Sequence, residues 1–176
     1  TQREQAYLDA VAARYRDADI QNWRDRTVAY ETAMEQLAQA YPEDTEAQIF
    51  YALALIVTAQ PSDKEYVNQR KAEAILEPLL ATHPDHPGVA HYLIHTYDYP
   101  SLANGGLEAA RRFAAIAPSA PHALHMPAHI FTRLGYWEES IATNQASAEV
   151  AKSNLAPNFA PNTGFVDALH AMDYMM

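Results

Sequence analysis

Residues 109–124, AARRFAAIAPSAPHAL, decide the fold, because an apolar helical pattern ends at a proline and a short turn leads into the next helix. Residues 33–47, AMEQLAQAYPEDTEA, and residues 72–90, AEAILEPLLATHPDHPGVA, have the same arrangement. In each segment an Asp or Ser in the turn can cap the helix that follows. The three segments predict a chain of repeated helix pairs.

The prolines that end these helices give the repeat length. Pro84 and Pro118 are 34 residues apart, which is a period of helix–turn–helix repeat arrays. Pro42 and Pro84 are 42 residues apart, and the eight additional residues fall in the polar stretch 60–69. We therefore expect an inter-helix loop insertion in that stretch.

This frame predicts an all-α, single-domain chain. The first helices of the repeats are expected at 45–59, 87–99 and 121–134, and the second helices at 70–82, 106–117 and 137–153. The repeats are expected at 43–84, 85–118 and 119–154, after an irregular helical pair at 1–42 and before a connector and a further helix at 155–176. Because the last residues end inside a helical pattern, we expect the chain to be part of a longer protein.

Composition and charge exclude several classes of function. Among 176 residues, 34 Ala against 5 Gly favour packed helices, and the lack of Cys excludes disulfide scaffolds, thiolate metal sites and cysteine nucleophiles. A net charge of −10 argues against nucleic acid and anionic membrane surfaces as partners. No apolar run reaches the roughly 18 residues that a membrane span needs, so we expect a soluble protein.

Two stretches carry a family resemblance: HPGVAHYLIHTYDYP at 86–100 and APHALHMPAHIFTRLGYWEESIATN at 120–144. Together with the repeat period, they make the chain similar to the tetratricopeptide-repeat superfamily, and more narrowly to a group of uncharacterised bacterial repeat proteins. The resemblance implies a right-handed superhelical solenoid of antiparallel helix pairs, whose concave groove is lined by first helices and binds peptides or other ligands. It also implies that Asn144 could clamp a peptide backbone.

The histidines follow the repeat period. His91 and His125 are 34 residues apart, as are His95 and His129. The two histidines of each helix are spaced i, i+4, which places both rings on one helical face. Neighbouring helices lie roughly 10 Å apart, so four imidazoles could face one another across two of them.

Further residues are expected near the same surface. The stretch ALHAMDY at 168–174 resembles ALHMPAH at 123–129, which aligns His170 with His125. In the repeats that the chain resembles, the fifth and ninth positions of a first helix face the concave groove, and the two histidine pairs fall there. The expected groove residues are His91, His95, His122, His125, His129, Asp98, Arg133 and His170, with Asp173 able to approach them.

A metal site is one interpretation of this pattern. Neutral imidazole is a favoured ligand for Zn, Cu, Ni and Fe, so His91, His95, His125 and His129 could supply three or four nitrogens to one ion. The H-E-x-x-H pattern of zinc proteases is missing, because Tyr92 and Met126 follow the first histidine of each pair.

Two other interpretations stay open, and the sequence favours both over metal. The histidines could be structural or hydrogen-bonding side chains that recur because the repeats share an ancestor, or they could line a binding groove without metal. The discriminating feature is convergence, because nitrogens bound to one ion lie within about 3 to 3.5 Å of each other.

Pro127 lies inside the predicted helix 121–134. Its ring removes the hydrogen bond to the carbonyl of Ala123, so we expect a kink between His125 and His129. The kink could re-aim the imidazoles, or it could only set the curvature of the superhelix, which is the favoured interpretation.

Two functional hypotheses follow from the sequence. The first is a binding or scaffolding module whose histidine-lined groove takes a protein segment, a peptide or a small ligand. The second is a metal-binding protein or metal-dependent hydrolase, with a transition metal such as Zn as cofactor. We expect no catalytic residue under the first hypothesis, and a homodimer could form through the terminal helices. The sequence leaves the compartment open, with the bacterial cytoplasm slightly favoured.

Overall fold

The computed structural model describes residues 1–16, 22–153 and 163–175, and every regular element in these ranges is a helix. The predicted all-α class is confirmed for this part of the chain. The chain divides into two compact units, Thr1–Thr82 and His83–Met176. No helix among the described residues is long and apolar enough to cross a bilayer.

The described residues of the first unit form four helices, each packed on the next along the chain: α1 Gln2–Tyr15, α2 Trp23–Ala40, α3 Thr45–Thr58 and α4 Val67–Thr82. Polar side chains mark where two of them begin. The Thr1 hydroxyl accepts a hydrogen bond from the backbone N–H of Glu4, and the Asp44 carboxylate accepts one from Ala47. Small side chains let α1, α2 and α3 approach closely, and the buried cluster consists of Ala10, Met34, Leu37, Ala38, Ala47 and Ala54.

The second unit holds the remaining elements: α5 Pro87–Tyr97, a 3₁₀ turn Ala103–Gly106, α6 Leu107–Ile116, α7 Pro121–His125, α8 Pro127–Leu134, α9 Trp137–Ser153 and α10 Thr163–Asp173. Helix α9 packs on α7, α8 and α10, while α6 packs on α5, α7 and α8. Both helices therefore lie against more than their neighbours in sequence.

The 3₁₀ turn allows α5 and α8 to meet. A Cβ atom added to Gly106 would lie 2.7 Å from Ile130 Cδ1 and 3.0 Å from Tyr97 Cβ. Only glycine fits so close to both helices without a shift of the neighbouring side chains. This contact brings the histidine-bearing faces of the two helices into one region.

Pro127 interrupts the third predicted first helix, as the sequence indicated. The structure has two short helices, α7 and α8, in place of one helix over 121–134. Beyond the proline, the backbone N–H of His129 bonds to the carbonyl of Met126, three residues back, at 3.2 Å. Helix α8 then ends at Gly135, whose φ of 76° suits glycine.

The other boundaries differ from the predicted ones by a few residues. Helix α4 begins at Val67, where the sequence predicted residue 70, and α5 ends at Tyr97, before the predicted residue 99. Within the predicted segment 155–176, residues 155–162 and 176 lie outside the described ranges. The superhelical handedness and the relationship to tetratricopeptide repeats stay predictions.

Candidate metal centre

Four helices of the second unit bring six histidines together in two groups of three. Helix α5 supplies two of these residues, α7 supplies two, and α8 and α10 supply one each. In each group, one potential ligand atom per residue lies within 4.8 Å of the others. We call the groups triad 1, His91, His95 and His122, and triad 2, His125, His129 and His170.

In triad 1, ring nitrogens of two histidines lie close to the same ring nitrogen of the third. The Nε2 atom of His91 lies 3.1 Å from Nε2 of His95 and 3.1 Å from Nε2 of His122. The His91 ring also stacks on Phe113, with 5.3 Å between ring centroids and 13° between the planes. This stacking fixes the plane in which the His91 lone pair lies.

Triad 2 is more buried and joins three helices. The Nε2 atoms of His125 and His129 are 3.1 Å apart, and the ring centroids of His125 and His170 are 4.4 Å apart. His125 is only 2% exposed. The break at Pro127 lies between the first two ligands, and the i, i+4 spacing still brings their ring nitrogens together.

In triad 2, hydrogen bonds at Nδ1 determine which ring nitrogen carries the proton in His125 and His129. Asn144 donates through its amide nitrogen to the carbonyl of Ser140 at 2.8 Å, so its Oδ1 is the atom that accepts from His125 Nδ1 at 2.7 Å. The Asp98 carboxylate accepts from His129 Nδ1 at 2.9 Å. In the neutral form, both rings therefore carry the proton on Nδ1 and a lone pair on Nε2. This is the arrangement found for histidines that bind metal ions.

The Asp98 carboxylate is itself held in place. Arg133 Nε donates to its Oδ1 at 2.9 Å, while Oδ2 faces His129. Burial raises the pKa of Asp98, but the hydrogen bonds from His129 and Arg133 outweigh this and keep the pKa below its usual range. The carboxylate stays ionised and makes the His129 ring a better electron donor.

Burial favours the uncharged form of four of the six rings. Removal from water, together with neighbouring histidines, lowers the pKa of His91 and of His125 to about 4, although the hydrogen bond with Asn144 acts in the opposite direction on His125. Removal from water is also the main cause that lowers the pKa values of His95 and His122. Because metals bind neutral imidazole, these four side chains are ready to act as ligands at neutral pH.

An open cavity of about 640 Å³ lies beside His129, where Asp98 and Tyr174 contact its Nδ1 atom. Its wall includes the ligand His129, the phenol of Tyr174 and the cation of Arg133. The exposed ring of Trp137 forms its outer part. A small molecule that enters this cavity therefore meets one of the ligands directly.

The structure groups the predicted ligands differently from the sequence analysis. His91, His95, His125 and His129 were expected around one ion, but two fall in each triad. His122 and His170, expected as groove residues, complete the triads. Asp98 and Arg133 support His129, and Asp173 lines the cavity beside Asp98. The amide of Asn144 is fully buried against His125, so the structure leaves it no open face for the expected peptide clamp.

Sequence reasoning missed Tyr174. Its ring centroid lies 4.7 Å from that of His125 and 5.1 Å from that of His129, and its hydroxyl lies 3.3 Å from His129 Nδ1. The signal that could have found it is its i, i+4 spacing from His170, which places both on one face of the chain as it leaves α10.

Comparisons with protein-family models and with curated proteins give no match. The geometry of the two triads therefore carries the functional conclusion.

Proposed function

We propose that this protein binds first-row transition metal ions, one in each histidine triad. The observation that carries the proposal is the 3.1 Å spacing of ring nitrogens, His91 with His95 and His122, and His125 with His129. Nitrogens bound tetrahedrally at 2.0 to 2.1 Å lie about 3.3 Å apart. These three pairs lie within the range of about 3 to 3.5 Å expected for ligands of one ion, and the remaining ligand atoms of each triad lie within 4.8 Å of one another.

A cation explains the arrangement better than hydrogen bonding among the rings. In triad 2, the outward Nδ1–H groups of His125 and His129 are used by Asn144 and Asp98. Two neutral rings would then face each other lone pair to lone pair at 3.1 Å, which is repulsive unless a cation or a proton lies between them. Burial disfavours a proton on the His125 side of this contact, because it holds the pKa of His125 at about 4.

Three protein ligands leave a coordination position open. Metal sites with three protein ligands and an open fourth position are typical of catalysis, whereas structural sites are closed by four. The third member of each triad, His122 or His170, is exposed, which supports a position that exchanges water or substrate. The peptide-groove hypothesis stays a prediction. Under that hypothesis, these same ring nitrogens would form hydrogen bonds with the peptide.

Metal content of untagged protein tests the proposal. We expect purified protein reconstituted with Zn²⁺ and desalted to retain two ions per chain, and a His170→Ala variant to retain one. His170 is exposed, so this variant should fold even if loss of the buried His125 does not permit folding. The matched control is His83→Ala, an exposed histidine outside both triads.

Two results would contradict the proposal. One is retention of no Zn²⁺, Cu²⁺ or Ni²⁺ by folded wild-type protein at micromolar concentrations. The other is equal metal content in the His170→Ala and His83→Ala variants. Circular dichroism of each variant confirms that helix content is unchanged before metal content is compared.

A further inference from the structure

We propose that the two triads form one dinuclear copper centre that binds dioxygen between its ions. This inference rests on the proposed function, since it requires a metal ion in each triad. It adds the identity of the metal, the coupling of the two ions and the chemical class of the ligand that they share.

Two ring pairs, each with one histidine from each triad, show that the triads lie next to each other. His95 of triad 1 lies beside His129 of triad 2, with ring centroids 6.3 Å apart, and His122 lies beside His125 at 6.4 Å. Because an ion lies only about 2 Å from the nitrogens that bind it, the two ions are adjacent, with no helix between them. Adjacent ions can hold one small ligand between their open positions.

The two ions would also have the same set of donor atoms. Each is bound by three imidazoles, and the i, i+4 pair His91 and His95 corresponds to His125 and His129 one repeat later. Equal donor sets give two ions of one element similar reduction potentials. Two such ions can change oxidation state together, which suits a reaction that needs two electrons.

The charge of the donor set favours copper. All six ligands are imidazoles, which bind metal ions in their uncharged form, and the carboxylate bonded to a ligand, Asp98, is already paired with Arg133. Two divalent ions would bring four positive charges into a half-buried site, whereas two Cu(I) ions bring half as many, and each additional buried charge is costly. Imidazole suits copper, which also binds most tightly among the divalent first-row metals.

Dioxygen completes a balanced two-electron step at such a centre. Each Cu(I) gives up one electron and becomes Cu(II), and dioxygen accepts both electrons and becomes peroxide. The O–O double bond becomes a single bond, and a bond forms from the peroxide to each copper ion. No proton is needed and no protein bond breaks, so the reverse step releases dioxygen.

The test loads the full chain with Cu(I) in the absence of oxygen and then admits oxygen. We expect uptake of one dioxygen per two copper ions, a new near-ultraviolet absorption band, and loss of most of the Cu(II) signal in electron paramagnetic resonance. The signal is lost because a shared ligand couples the two Cu(II) spins. Signals from two independent Cu(II) ions per chain, or no uptake of dioxygen, would overturn the proposal.

A variant that empties one triad serves as the internal control. His122 is an exposed ligand of triad 1, so His122→Ala should fold and keep one copper ion per chain. Its Cu(II) should be visible in electron paramagnetic resonance, and it should take up no dioxygen as bridging peroxide. His83→Ala should behave as the wild type. A fully silent His122→Ala centre would also overturn the proposal.

The outcomes separate this inference from the proposed function. Two Zn²⁺ ions bound per chain without copper binding, or two copper ions that behave independently, reject the dinuclear copper centre and leave metal binding intact. Failure to bind any metal rejects both.

Discussion

Asn144 shows how one buried amide can control a ligand. Its Oδ1 accepts from His125 Nδ1 at 2.7 Å, so an Asn144→Leu change leaves that N–H without an acceptor in a buried position. We expect the free energy of unfolding to fall by about 1 to 3 kcal/mol. The affinity for Zn²⁺ should fall about 10- to 100-fold, as for other residues that orient metal ligands.

Urea unfolding and Zn²⁺ competition with a chelating dye measure the two effects. The matched control is Gln145→Leu, at the exposed neighbouring position of α9, where both quantities should stay near the wild-type values. If Asn144→Leu changed stability but not affinity, Asn144 would be a packing residue only.

Asp98 acts on the site through charge. An Asp98→Asn change keeps an acceptor near His129 but removes the negative charge and the ion pair with Arg133. We expect Zn²⁺ affinity to fall about 10-fold or more, with a smaller effect on folding. Asp173→Asn is the control, because Asp173 lines the same cavity. Equal affinity of the two variants would argue against a supporting role for Asp98.

The pH dependence of the metal-free protein follows from the buried histidines. His91 and His125 have pKa values of about 4 in the folded state and an ordinary value of 6.5, so the unfolded chain binds more protons between these limits. Their contribution to stability is complete above pH 6.5 and is lost as pH falls toward 4. For His125 alone, we expect about 2 to 3 kcal/mol less unfolding free energy at about pH 4.5 than at about pH 7.5.

Urea titrations at both pH values, in a chelator, measure this difference. The comparison protein is a His125→Gln variant, which removes the titrating ring. It should show a smaller loss of stability between the two pH values than the wild type. An equal loss would mean that other groups carry the dependence.

Among the helices, the contact at Gly106 holds α5 against α8. A Gly106→Ala change adds a Cβ atom 2.7 Å from Ile130 Cδ1, so side chains of α8 must shift. We expect a loss of about 1 to 3 kcal/mol in unfolding free energy and weaker metal binding, because α5 and α8 carry ligands of the two triads. Thermal unfolding and metal content measure both. Gly88→Ala, in the first turn of α5, should be neutral or stabilising, since alanine is the better helix former.

The sequence was most informative about these helices and less informative about the site. Prolines and a 34-residue period located the helices to within a few residues, because a proline such as Pro127 lacks the backbone N–H that a continuous helix needs. The same period identified which histidines recur. It could not assign them to triads, because the assignment depends on ring rotamers and on the offset between helices. Asn144 reaches the site from α9, which a spacing rule along the histidine-bearing helices does not connect.

For the whole molecule, metal binding should stabilise one part of the chain in particular. The ligands come from α5, α7, α8 and α10, all within His83–Met176. At a free Zn²⁺ concentration about 100 times the dissociation constant, each occupied site adds roughly 2.7 kcal/mol to the stability of the folded state. We expect hydrogen exchange to slow most in these four helices. Equal slowing in α1 to α4, or none, would contradict the proposed sites.

An ion bound in triad 2 would link α10 to α7. His125 and His170 are 45 residues apart in sequence, and an ion bound to both would close the intervening chain into a loop. Closing such a loop restricts the unfolded chain, and the gain grows only slowly with loop length. The ion would then work as a removable crosslink, and adding a chelator would leave α10 held by its packing on α9 and α7 alone.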